Sequence, residues 1–447
     1  MRSPHTATNT PLTREALEPF WMPMTPNRQF KANPRLFVGA EGMHYTTHDG
    51  KQILDGMAGL WCVNAGHGQK RIVEAIQAQA AKLDFVSSFQ MSHPAAFELA
   101  GRITEITPEG LDHVFFTNSG SESVDTALKI ARGYHRARGE ANRIRFISRA
   151  KAYHGMGWGG LSVSGLFRHR RDFGPLLPEV DHLPHTHDPE NAAFSRGQPQ
   201  WGAHFADELD KLLLIHDPST IAAVIVEPVT GSGGVYPPPV GYLEKLRKIC
   251  DQHGILLIFD EVITGFGRLG APFAANALGV TPDLMTCAKG MTNAAVPMGG
   301  VITSGKVYSA LMNGPENSVE LFHGYTYSAH PLACAAGLAA LDVYQDLGLF
   351  ERAQNIAPIW EAAAHALRDA PYVTDIRNIG LLAAIDLKPR DGAPGTRGPE
   401  CAARSYDDGI LIRAAADTLM ISPPLIVTEE QIAAIFTTIR RALNAID

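Results

Sequence analysis

The chain has 447 residues, enough to bury a large core and to form two domains or one large α/β unit with appendages. With 45% hydrophobic and 19% charged residues it reads as an ordinary globular enzyme, neither disordered nor membrane-embedded. A formal net charge of -7 leaves no basic face to neutralise phosphates, which excludes nucleic acid as a main partner. The five cysteines (Cys62, Cys250, Cys287, Cys334, Cys401) are odd in number and lack metal-ligand spacing, the usage of reduced cytosolic thiols. Met1 to Thr10 lacks the apolar core of a signal peptide, and no run approaches the ~20 residues of a membrane helix. A cytoplasmic protein without membrane contact is expected.

The first dozen residues are polar and expected to be mobile. Trp21 to Arg28, W-M-P-M-T-P-N-R, carries a tryptophan and two methionines, easier to explain packed over a pocket or a partner subunit than left in water. From about Leu36 to Asp55 the pattern alternates like a small antiparallel sheet with a turn at Asp49-Gly50. The glycines of A-G-L-W-C-V-N-A-G-H-G, residues 58–68, mark a loop that presents Trp61, as a binding residue or as core. A helix is predicted from Gln69 to Leu83. Phe85 and Phe89 follow, suited to a pocket or to a core.

Residues 113–117, H-V-F-F-T, read as a buried strand running into N-S-G-S-E-S and then a helix with Val124, Ala127, Leu128 and Ala131 at helical spacing. Strand, small-residue turn and helix N-terminus form an anion site in which Ser119, Gly120 and Ser121 would hold a phosphate; the alternative is a plain helix cap by Ser121 or Ser123. After the strand 143–148, Tyr153 is placed to stack on a planar group. The histidines His182, His185 and His187 are read as a polar loop rather than a metal site, since no further ligand cluster lies nearby in the sequence. Residues 222–226 form a continuous apolar strand ended by Glu227, and the loop 229–235, rich in glycine, brings backbone close to the same crevice.

The central stretch is I-L-L-I-F-D-E-V-I-T-G-F-G-R, residues 255–268. Its apolar run has the character of a strand buried on both faces, and Asp260 sits at its carboxyl end, the edge where open α/β sheets bind ligands. A buried carboxylate there demands a cationic partner. The next apolar run ends on Lys289, about thirty residues on, the spacing of neighbouring strands joined by a crossover. Taken singly these are more often a capping aspartate and a surface lysine. As a pair they suit pyridoxal phosphate: a partly desolvated lysine beside Ala288 and Gly290 to form a Schiff base, and an anion to keep the pyridine nitrogen protonated. Gly265, Gly267 and Gly270 match G-x-G-x-x-G, yet they begin five residues past Asp260 and precede Pro272, so a turn is expected and not a dinucleotide site.

Beyond Lys289, residues 323–331, H-G-Y-T-Y-S-A-H-P, make a polar and aromatic loop before a small-residue helix, 332–341, suited to tight helix packing. From Leu349 the chain alternates helix and strand around a Gly- and Pro-rich loop, Lys388 to Pro399, and ends in an amphipathic helix, Glu429 to Ala445. Arg413 closes a strand, as a fork for a substrate carboxylate or as half of a structural salt bridge.

With these residues in view, the chain resembles the class III, or ω-amino-acid, aminotransferases of the fold-type I pyridoxal-phosphate enzymes. The likeness spans nearly the whole length and is densest at residues 21–28, F-F-T-N-S-G-S-E, A-Y-H-G, I-V-E-P, L-L-I-F-D-E-V-I-T-G-F-G-R, C-A-K and H-G-Y-T-Y-S-A-H-P. D-H-L-P-H-T and S-R-G-Q-P follow the style of the β-alanine:pyruvate aminotransferases. The resemblance implies a large domain, 71–331, with a mostly parallel sheet flanked by helices, and a smaller α+β domain built from 1–70 and 332–447. It implies Lys289 as Schiff-base lysine and proton carrier, Asp260 on the pyridine nitrogen, Val262 and Tyr153 about the ring, and His154 and Glu227 beside it. Gly120 and Ser121 would hold the phosphate, joined by Thr326 from a partner subunit, so a homodimer is the minimum unit, able to pair into tetramers. Trp21, Leu60, Trp61, Phe89, Arg413 and Met420 would shape the substrate pocket.

Two departures bear on the substrate. Relatives that use 2-oxoglutarate usually have a glutamate where this chain has Ser232, and its absence frees Arg413 for the carboxylate of pyruvate. Met420 replaces a glutamine of β-alanine enzymes, which favours larger or more apolar amines. The expected activity is transfer of an amino group from an ω-amino acid or amine to pyruvate; the alternatives on the same scaffold are an aminomutase or decarboxylase, or a non-catalytic regulator that binds the cofactor.

Overall fold

The computed structural model describes residues 13–447, so the polar first dozen lies outside it. The expected small sheet forms from β1 (Phe37–Glu41), β2 (His44–Thr47) and β3 (Gln52–Asp55), antiparallel throughout, with Gly50 at φ +85° in the β2–β3 turn. Seven strands make the central sheet: β4 (Leu111–Thr117), β5 (Arg145–Arg149), β6 (Val180–Leu183), β7 (Ile221–Val226), β8 (Leu256–Asp260), β9 (Leu284–Cys287) and β10 (Gly299–Ser304). Their order is β4-β10-β9-β8-β7-β5-β6. The pairs from β9 to β6 are all parallel, and β10 runs antiparallel to both its neighbours. A third sheet, β11-β12-β15-β14, uses β11 (Val373–Ile379), β12 (Leu382–Leu387), β14 (Arg413–Ala415) and β15 (Thr418–Ile421). Between them in sequence, β13 (Ile410–Leu411) pairs parallel with β3 and so ties the C-terminal region to the N-terminal sheet.

The unbroken apolar runs have a direct cause. Along β7 and β8 alternate side chains feed two separate cores: Val224, Val226, Leu257 and Phe259 on one face, Ala223, Ile225, Leu256 and Ile258 on the other, all at most 1% exposed. The second face is covered by the helix Gly120–Ala137 through Val124, Ala127, Leu128 and Ala131, the residues singled out by their spacing. The first is covered by Leu243, Leu246 and Ile249 of the helix Tyr242–His253. Each fully buried Leu, Ile or Phe contributes about 1.5–3 kcal/mol, so a polar residue on either face of these strands would be costly. The small-residue stretch after Pro331 lies in the helix Pro331–Asp346, where Gly337 lets Leu99 approach: a Cβ there would stand 3.0 Å from Leu99 Cδ2. Among the described residues no single helix is long and apolar enough to cross a membrane.

The glycine-rich stretch after β8 is a pair of turns: Phe266 N–H donates to the Pro272 carbonyl and Gly270 N–H to that of Gly267, and the next helix, Ala274–Leu278, starts beyond Pro272. Of the three histidines of the 182–187 loop, His187 reaches the third sheet, its Nε2 3.1 Å from Asp375 Oδ2. His187, Asp375 and Asp386 cluster closely, and a fixed cation, Arg377, bridges both carboxylates. Arg377 is 1% exposed, donates Nη2 to the Gly234 carbonyl at 2.9 Å, and lies 4.5 Å from the Tyr236 ring, so it fastens the 229–235 loop to β11. Burial alone would raise the Asp375 carboxyl, but the His187 and Arg377 contacts overcome it and hold it down at about 2. This group therefore stabilises the fold fully above the ordinary carboxylate range and loses that contribution as pH falls towards 2. Arg377→Met strands the buried Asp375 and the half-buried Asp386 and is expected to cost about 3–5 kcal/mol. Denaturant unfolding checks it, and a loss under about 1 kcal/mol would show the network to be dispensable.

Candidate active site

Asp260 ends β8 and faces Thr286 of β9 in register, three residues before Lys289. Strand alternation splits the acidic pair. Glu261 turns into the protein, fully buried, where it accepts from Ala274 N, Ala275 N and Thr264 Oγ1; burial raises its carboxyl to about 7 despite these bonds. Asp260 turns to the crevice, 5% exposed. Its Oδ2 takes the His154 Nδ1 at 2.8 Å, and its Oδ1 accepts from Thr286 Oγ1 at 3.0 Å and Val262 N at 3.2 Å. Among the described residues no lysine or arginine pairs with it, and the His154 Nε2 is buried without a partner. A buried anion held by three donors and no fixed cation fits a protonated ring nitrogen.

Lys289 opens the short turn Lys289–Thr292 with φ +47°, a left-handed conformation that costs a lysine roughly 1 kcal/mol or more and that concentrates at functional sites. Its Nζ has no hydrogen bond or ion pair among the described residues and stands 5.9 Å from the Trp61 ring centroid. Burial lowers its pKa, against the pull of Cys62, Asp260 and Glu227. The glycine beside it is required by space: a Cβ on Gly290 would lie 2.6 Å from Asn64 Nδ2 and 2.9 Å from Phe266 Cβ.

The predicted strand, small-residue turn and helix N-terminus form at the end of β4. Ser119, rather than Ser121 or Ser123, caps the helix Gly120–Ala137, accepting from Glu122 N at 3.2 Å, while Glu122 reaches back to Asn118 N at 2.8 Å. The spacing Ser119-x-x-Glu122 carried that signal. Ser121 Oγ instead accepts from Met156 N at 3.1 Å, which joins the cradle to the loop after β5. Gly120 packs directly on Val262; a Cβ there would sit 2.7 Å from Val262 Cγ1. On the other side Tyr153 N–H donates to Glu227 Oε1 at 2.9 Å, and Glu227 Oε2 accepts from Gly231 N at 2.8 Å. Burial pushes the Glu227 carboxyl and the Tyr153 hydroxyl up. Gly120 and Ser121, Tyr153, Glu227, Asp260 and Lys289 thus converge from the ends of β4, β5, β7, β8 and β9, and this set of donors, anions and a lysine fits pyridoxal phosphate.

On the substrate side, Trp61 is 2% exposed and ends an irregular turn, Ala58–Trp61, with Gly59 and Leu60 outside helical geometry. The Arg413 guanidinium lies 5.6 Å from its ring and has no carboxylate partner among the described residues, so the structural salt bridge is not what this arginine makes. Met420 needs correction. It is fully buried, paired across β14–β15 with Arg413, inside the apolar cluster of Met57, Trp61, Val229 and Ile263; it offers no surface to a substrate and acts on the pocket only through what it supports. Leu60 and Phe89 are exposed, and Phe89 lines a groove of about 280 Å³ with Phe97, Phe115 and Gly324. Trp21 is 88% exposed and Thr326 lies exposed on its loop, so the chain's own fold covers neither. Thr286, which fixes Asp260, and His169, whose ring packs on Tyr153 at 5.3 Å, had no signal in the sequence.

The model of the family Aminotransferase class-III matches residues 27–443. An omega-aminotransferase of Caulobacter vibrioides is 57% identical over 96% of this chain and 98% of its own, and a beta-alanine–pyruvate aminotransferase of Pseudomonas aeruginosa is 49% identical over 96% of each. The PLP-bound structure of an amine transaminase from an uncultivated Pseudomonas species superposes with a TM-score of 0.88 at 34% identity, covering 95% of this chain and 98% of that one. The sheet order, the Asp260–Lys289 juxtaposition and these matches define a fold-type I pyridoxal-phosphate enzyme. The chain belongs to the class-III aminotransferases.

Proposed function

We propose that this protein moves an amino group from an ω-amino acid or related amine to pyruvate, giving alanine and a semialdehyde or ketone in two alternating half-reactions. One observation carries the reading: a buried Asp260 without a fixed cation and an unpaired Lys289 Nζ lie at adjacent strand ends. Pyridoxal phosphate, when bound, supplies the electron sink for the bond broken at the substrate carbon. Asp260 holds a proton on the ring nitrogen, steadied by His154 and Thr286. Gly120, Ser121 and Ser119 would hold the phosphate at the helix N-terminus, and Val262 and Tyr153 would hold the ring. Glu227 sets the backbone of Tyr153 and Gly231. Lys289 Nζ would take the proton from the donor's carbon and hold it as the acid for the return step, a task suited to an amine whose basicity burial has reduced.

The free Arg413 meets the acid's carboxylate, and Trp61, Leu60, Phe89 and Trp21 give apolar walls. The minimum unit in this reading is a homodimer in which Thr326 reaches the partner's phosphate site; the exposed Phe20, Trp21, Met24 and Phe322 are the surface a second copy would cover. The same reading assigns 1–70 and 332–447 to one smaller unit, supported by the β3–β13 pairing. A cytoplasmic location is supported by the five unpaired cysteines.

The test is the absorption spectrum of the holoenzyme. The long-wavelength band of the bound cofactor should bleach with β-alanine, 1-phenylethylamine or 4-aminobutyrate and return on adding pyruvate, with the apolar amine fastest. A band that bleaches but recovers only with 2-oxoglutarate would refute pyruvate as acceptor, and one that no amine bleaches would refute the donor class.

A further inference from the structure

His169 lies in the short helical turn Phe167–Arg170. Its ring packs on that of Tyr153 with centroids 5.3 Å apart at 57°. The residue is only half-buried, yet its Nδ1 is buried and has no partner among the described residues. Neither ring nitrogen has a hydrogen-bond partner among the described residues, which is uncommon in a folded protein; only Nδ1 is closed off, so the other ring nitrogen, Nε2, is the one a ligand can reach. Burial and the Arg413 charge hold the imidazole's pKa below its ordinary value, so near neutral pH it is uncharged and can sit beside that cation. The charged groups around it are Arg413 of β14, Arg168 and Arg170 on its own turn, and Asp260 and Glu227 behind Tyr153.

We propose that His169 is a specificity-determining residue: packed on Tyr153 beside Arg413, its uncommitted imidazole donates a second hydrogen bond to the carboxylate of the acid substrate. An arginine and a neutral imidazole together satisfy more of a carboxylate's lone pairs than the arginine alone, and when no acid is bound neither demands an anion from the protein. An amine without a carboxylate has nothing for His169 to hold. The inference rests on the pyruvate reading above.

The experiment measures both Michaelis constants of the holoenzyme in one assay, with 1-phenylethylamine as donor and pyruvate as acceptor. For His169→Phe, which keeps the aromatic packing and removes the nitrogens, KM for pyruvate should rise about tenfold while KM for the amine stays within about twofold. His169→Asn, which keeps a donor, should recover part of the loss. Equal rises for both substrates, the mark of a purely structural ring, or no rise for either, would overturn the proposal. A wild-type protein that never aminates pyruvate would instead refute the parent reading, so the two failures are told apart.

Discussion

Lys289→Ala is expected to lower transamination by at least about 10³-fold, to the level of free cofactor, while the protein stays folded. In the proposed function the substitution removes in one atom the group that would hold the cofactor covalently and the base that would move the substrate proton. No neighbour can replace it: among the described residues Nζ has no bonded partner to take over, and the other cations nearby, Arg413 and Arg268, are guanidiniums that do not give up a proton near neutral pH. Stability should not fall in step. A charged amine is poorly placed in this crevice, since burial already lowers its pKa, and alanine in the same left-handed backbone is no more strained than lysine. Equal thermal midpoints with and without the side chain, together with lost turnover, would locate the effect in the chemistry. Clear turnover by the purified variant would sink the assignment of Lys289.

How far the sequence carried this site depended on whether a residue's role was local. The runs ending at Val226, Asp260 and Cys287 announced strands buried on both faces, because helices cover both sides and each face needs apolar residues. The spacing from Asp260 to Lys289 left a parallel crossover as its natural reading, and the register of β8 on β9 has that form. The capping of Gly120–Ala137 was local as well, although the serine that caps is Ser119 and not the two first considered. What stayed hidden depends on chain returning from elsewhere. Thr286 meets Asp260 only once two strands are aligned; His169 reaches Tyr153 only when the turn after residue 165 folds back. Met420 lies two residues after Thr418 in a short strand, where sequence alone does not say which way it faces, and β15 buries it completely. Trp61 was open between loop and core because it is both: a turn residue by its backbone, core by its 2% exposure.

Asp260→Asn should be nearly as damaging as the loss of the lysine, for a different reason. Asparagine has the same shape and can still accept from Val262 N, so the ends of β8 and β9 need not move. What disappears is the negative charge, and with it the reason for a proton to stay on the ring nitrogen in a buried site. An amide also offers two N–H donors where the carboxylate offered only acceptors; the Thr286 hydroxyl can turn and the His154 imidazole can change tautomer to meet them. Breaking a buried charge pair from one side costs about 3–5 kcal/mol, so kcat should fall by roughly 10²–10⁴-fold. The cofactor-free protein should respond in the opposite direction. There Asp260 is a buried anion whose partners are dipoles and a histidine, so exchange for a neutral amide should leave the melting temperature unchanged or raise it. Cofactor should then stabilise the variant less than the parent. A variant with near-normal turnover, or one that melts far lower without cofactor, would show that Asp260 serves the sheet and not the ring nitrogen.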